Sequence, residues 1–170
     1  MILGMSTSAF TLFHVVLSLI GIVAGIVVVA AMFGSKTVNG WTALFLVTTV
    51  LTSVTGFLFP SDQVLPSHIV GVVSLLVLAI AIVALYGYRL ARSWRWIYVA
   101  GAVLALYLNV FVLVAQAFQK VTFLNALAPM QSDPAFIIAQ VIVLVIFVML
   151  AVGALKTFHA EPNPSVLRPG

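Results

Sequence analysis

The chain reads as an all-α integral membrane protein, a bundle of five transmembrane helices, and three observations predict it. Hydrophobic residues make up 64% of the 170 residues and charged residues 6%, whereas a soluble domain carries about 25% charged residues. The apolar residues are gathered into long runs, each near the roughly 20 residues a helix needs to cross a hydrocarbon core of about 30 Å. Between the runs stand the helix breakers and nearly all of the charge.

The first run, about 9–33, is almost unbroken and has one ionisable member, His14. Gly34-Ser35-Lys36 ends it, and Asn39-Gly40 marks a turn before Trp41, an interfacial aromatic. The second span covers about 41–59 and is halted by Pro60-Ser61-Asp62. Pro66 suits a helix start, where its missing N–H costs nothing, and opens the third span at about 67–88. The cluster from Arg89 to Trp96, with Tyr86, Tyr88 and Tyr98 beside it, has the basic and aromatic character of a membrane surface. The fourth span runs over about 96–118, a loop over 119–133, and the fifth span from Pro134 over about 134–158. Residues 1–158 therefore form a single membrane domain, and the Pro-rich segment 159–170 is expected to be a disordered cytoplasmic tail. A cleaved leader is not expected, because Met1 to Ser8 hold no Lys or Arg and the run that follows exceeds a secretory core of about 7–15 residues.

Orientation follows from the basic residues. With the N-terminus outside, the inner segments hold Lys36, Arg89, Arg92, Arg95, Lys156 and Arg168, and the outer ones only Lys120. That asymmetry places the N-terminus outside and the C-terminus in the cytoplasm. In this layout the chain resembles, in a general way, small bacterial inner-membrane proteins, so the bacterial inner (plasma) membrane is the expected location and the lipid bilayer the first partner.

Composition also excludes function classes. With no Cys, thiolate metal sites, iron–sulfur clusters and cysteine nucleophiles are ruled out. The net charge of +4 reflects seven basic against three acidic residues without a dense basic patch, so no nucleic-acid partner is expected. Asp62, Asp133 and Glu161 all fall outside the spans and no Pro interrupts one, which argues against ion pumping. No nucleophile, metalloprotease or phosphate-loop motif occurs, so no catalytic residues are assigned.

The functional signal is depth. Neighbouring helices run in opposite directions, so His14, Thr55, His68, Asn109 and Gln140 all lie within roughly 14 Å of the outer surface at about 1.5 Å per residue. The faces agree: His14, Ser18, Gly21 and Gly25 form one stripe of the first span, Thr48, Thr52, Thr55 and Phe59 one of the second, and Ala102, Ala105, Asn109, Val112 and Gln116 one of the fourth. An ionisable residue within a membrane is a functional candidate, and His14 and His68 are the metal-ligand candidates. The expected role is binding of a lipophilic redox ligand. That ligand is haem b, with His14 and His68 on the iron and Phe10, Phe13, Phe57, Phe59 and Phe111 around it, or a quinone. A quinone would take hydrogen bonds from His14, His68, Thr55, Asn109, Gln116 or Gln140. The alternative is a non-catalytic accessory or assembly subunit, its polar seams binding membrane-protein partners or a second copy of the chain.

Overall fold

The computed structural model describes residues 2, 4–60 and 66–159. The connector at 61–65 and the tail at 160–170, where disorder is expected, lie outside the described residues. Helix α1 covers Thr7–Phe33, and Ser6 caps it by accepting the Ala9 N–H at 3.2 Å. Its 27 residues give a rod about 40 Å long.

Helix α2, Asn39–Gly56, is 18 residues long and stops short of the expected Phe59. There the Phe57 N–H bonds to the Val54 carbonyl at 3.2 Å and the Leu58 N–H to the Thr55 carbonyl at 3.1 Å. This tightened turn carries Phe57 and Phe59 across the helix end. Helix α3, Pro66–Ile82, continues into a π turn over Val83–Gly87, sealed by the Tyr88 N–H on the Val83 carbonyl at 3.0 Å. Helix α4 is Trp94–Lys120, and the segment expected as plain loop contains a short helix α5, Thr122–Leu127. Helix α6, Pro134–Thr157, begins with its proline in the first turn.

Four of these helices, α1, α3 with its π turn, α4 and α6, are long and apolar enough to cross a membrane. Helix α2 is not among them, because Thr42, Thr48, Thr49, Thr52, Ser53 and Thr55 dilute its apolar character. Those same hydroxyl residues face neighbouring helices, with Thr42, Thr48, Thr49 and Thr55 all buried.

Helix α4 is the axis of the bundle and packs on α1, α3 and α6, while α2 bridges α1 and α3. A close approach is made at Gly25, where an added Cβ would lie 2.7 Å from Leu106 Cδ1 and 2.9 Å from Phe45 Cε2. The missing side chain lets buried Phe45 of α2 and Leu106 of α4 close against the α1 backbone. Helix α6 buries only Phe136, Gln140 and Ala154, and turns Ile142, Val145 and Met149 outward, a surface suited to lipid tails. Its end is latched to the α1–α2 turn: Ser35 Oγ donates to the Thr157 carbonyl at 2.5 Å and accepts the His159 N–H at 3.2 Å, while Phe158 enters the core against Tyr98.

Gly25→Ala is expected to lower the unfolding free energy by about 1–3 kcal/mol through overpacking, read as a fall in the detergent or thermal unfolding midpoint. An unchanged midpoint would show that Phe45 and Leu106 have room to withdraw.

Candidate functional site

The end of the bundle that carries His14 holds a half-open polar cavity of about 80 Å3 between α1, α2, α3 and α4. Helix α1 contributes His14 and Ser18, and α2 contributes Thr49, Thr52 and Ser53. Ser67, Gly71 and Ser74 come from α3, and Asn109 comes from α4 between Leu108 and Val112. Among the described residues no charged side chain lines it.

Hydrogen-bond accounting fixes what two of these groups present. Thr55 Oγ1 donates its single proton to the Leu51 carbonyl at 2.7 Å, with the Thr52 carbonyl at 3.2 Å. With that proton on the Leu51 carbonyl, the 2.8 Å contact between Thr55 Oγ1 and His14 Nδ1 uses an Nδ1–H, so that His14 donates and Thr55 accepts. A neutral imidazole of that tautomer keeps its lone pair on Nε2. Phe59 meets the His14 ring edge-on at 5.3 Å and 90°, holding its plane. Across the cavity Ser18 Oγ donates to Asn109 Oδ1 at 2.9 Å. The carboxamide is thereby oriented, and its Nδ2 is left without a hydrogen-bond partner among the described residues.

Thr49 Oγ1 and Thr52 Oγ1 are likewise buried without a partner among the described residues. Thr49 is 1% exposed and Asn109 7%, so neither group is solvated from the surface. Gly21 explains how they come together. A Cβ there would stand 3.1 Å from Thr48 Oγ1, 3.2 Å from Thr49 Oγ1 and 3.3 Å from Asn109 Nδ2. The glycine lets hydroxyls of α2 and the amide of α4 close on the α1 backbone. Asn109 Nδ2 carries two protons, and Thr49 and Thr52 one each. The side chains that line the cavity thus include donors that find no partner among the described residues.

The candidates from the sequence divide. His14, Thr55 and Asn109 are assembled at the cavity, Thr55 through His14. His68 lies in the first turn of α3, its ring stacked on Phe57 at 5.6 Å and 19°, and Phe57 in turn rests over Gly71. Gln140 belongs to the α4–α6 seam, where its Nε2 donates to the Phe111 carbonyl at 3.1 Å. Gln116 is half-buried on α4 and does not line the cavity. Thr49, Ser53, Ser67 and Ser74 are the polar lining residues that sequence reasoning did not single out. The spacing of Ser67, Gly71 and Ser74, at i, i+4 and i+7, was the available signal. Among the described residues no three His, Asp or Glu side chains group to hold a metal ion.

No family model, curated protein or solved structure matches the chain. What the site can do follows from its own atoms.

An interhelical hydrogen bond within a membrane is worth about 0.6 kcal/mol, and at most about 1.7 kcal/mol, whereas a buried unpaired polar group costs about 1–3 kcal/mol. Asn109→Leu is therefore expected to leave the ligand-free protein as stable as the parent or more so. Thr55→Val, which strands the His14 Nδ1–H, is expected to destabilise it by about 1 kcal/mol. Chemical unfolding in detergent checks both, and a loss above about 2 kcal/mol in Asn109→Leu would make that residue structural glue.

Proposed function

We propose that this protein is a membrane-embedded binder of an uncharged lipophilic molecule whose carbonyl-bearing head enters the outer-half cavity, the chemistry of a quinone. The observation that carries this reading is the set of buried donors of Asn109, Thr49 and Thr52, unpartnered among the described residues, on side chains that line one cavity in which no described residue is charged. Carbonyl oxygens only accept, so they satisfy such donors, and the absence of lining carboxylates and ammonium groups suits a neutral guest. About 80 Å3 is small beside the roughly 300–1,000 Å3 of ordinary ligand pockets. The cavity takes the polar edge of the head group while the remainder lies in lipid.

Haem b is the second reading. It is favoured by one observation, that His14 spends Nδ1 on Thr55 and keeps Nε2, the arrangement a ligating imidazole needs. His14 and His68 would be its ligands, and the helices would have to part to admit a porphyrin. In the accessory-subunit alternative the cavity is only a packing defect between helices bound to partner proteins.

This reading includes the topology. Helix α2, about 27 Å long, crosses with the other four, the N-terminus lies outside and the C-terminus in the cytoplasm of a bacterial inner membrane. The hydroxyls of α2 face α1, α3 and the cavity, which offsets its modest apolarity.

The deciding experiment is organic extraction of the full chain purified in mild detergent, beside oxidised and dithionite-reduced absorption spectra. A lipid-soluble carbonyl compound in the parent extract, and its loss from a folded Asn109→Leu variant, is the expected result. A Soret band that disappears in His14→Ala selects haem, and identical extracts from parent and variant leave the accessory role. The chain has no Cys, so single cysteines can be introduced cleanly. One at Ser8 is expected to react with an impermeant maleimide from outside intact cells, and one at Ser93 only after lysis. The reverse pattern would overturn the orientation.

A further inference from the structure

We propose that Ser18 is the residue that sets the polarity of the site, making it select a carbonyl over a hydroxyl. This rests on the ligand-binding reading above. A carboxamide is nearly symmetric in shape but opposite in chemistry at its two ends, so whichever neighbour claims one end decides what the other offers. Ser18 Oγ, one helical turn from His14 on α1, donates to Asn109 Oδ1 at 2.9 Å. The acceptor end of Asn109 is engaged, and the donor end, Nδ2, lies beside Gly21 on the side of Thr49, with no partner among the described residues.

A second neighbour favours the same orientation without donating to the amide. Thr48 Oγ1, which also approaches Gly21, spends its proton on the Leu44 carbonyl at 2.7 Å and can only accept. Ser53 Oγ donates to Ser74 Oγ at 3.2 Å and so belongs to the α2–α3 seam. Ser18 is the side chain whose proton defines the Asn109 dipole. Without it the carbonyl oxygen loses its donor, the amide turns Oδ1 toward the cavity more readily, and the preference shifts toward a guest that donates. Ser18 is a positioning residue: it acts through Asn109 and need not touch the guest.

The test uses the full chain in lipid nanodiscs and two probes of the same shape, a short-chain alkyl benzoquinone and its hydroquinone, the latter kept reduced under anaerobic conditions. Equilibrium dialysis gives the ratio of their dissociation constants. The parent is expected to bind the quinone about tenfold more tightly, the value of one hydrogen bond made rather than lost. Ser18→Ala is expected to bring that ratio to about one or to invert it, and Ser18→Thr, which keeps the hydroxyl, to restore it. A general packing role would weaken both probes together and leave the ratio unmoved, so an unchanged ratio in Ser18→Ala overturns this inference while the ligand reading stands. A parent that binds both probes equally also overturns it, and a parent that binds neither overturns the quinone reading with it. Size exclusion and unfolding midpoints of both variants establish that the compared proteins are folded, and Ser18→Thr keeps the comparison decisive if Ser18→Ala is not.

Discussion

Hydrocarbon supplies no hydrogen bonds, and most of this structure can be read as a response to that. Each side-chain proton placed between the helices must find an acceptor within the bundle or remain a standing cost. Helix hydroxyls solve the problem locally: Thr48 and Thr55 each donate to a carbonyl one turn back, at 2.7 Å. Having spent their protons they become acceptors, and it is as an acceptor that Thr55 takes the proton of His14. The tautomer of an imidazole on α1 is thus decided by a carbonyl in the middle of α2.

Close approach makes such exchanges possible, and the glycines of α1 permit it. Gly21 admits polar atoms of α2 and α4, and one turn deeper Gly25 admits Phe45 and Leu106. The stripe therefore changes character along its length, from a hydrogen-bonding layer to a dry, close-packed one. Below it the buried surface is apolar, with Val28, Met32, Val99 and Ala102. The polar cavity has a firm floor because packing forbids its extension inward.

Much of this was legible in the chain. Run lengths gave the principal helices to within a few residues, and the shared depth of His14 and Thr55 anticipated their contact. Depth is only one coordinate, however. Gln140 shares that end of the bundle with Asn109, yet it falls in the α4–α6 seam, and azimuth between helices is set by packing that no single sequence displays; Gln116, on the same face of α4 as Asn109, lies about two turns further along the helix and misses the cavity. Thr49 escaped notice because it lies one residue off the Thr48, Thr52 and Thr55 stripe. Helix α2 has two polar faces, and a search for one stripe finds only the first. The π turn at Val83–Gly87 and the short helix α5 carry no breaker or period that would announce them. The hydroxyl content of α2 cut the other way: it weakens the sign of a membrane span while marking the helix on which the site depends.

The latch between Ser35 and Thr157 joins residues 122 positions apart, whereas the contacts around the cavity are made by α1 to α4 alone. Loop-closure entropy grows with separation, and contacts between distant segments form late. The last helix also holds its neighbours by a shallow face, so it is a late addition to a nearly finished body. On the ribosome, the polar chamber would be assembled before the strap that ties its far end shut has been synthesised.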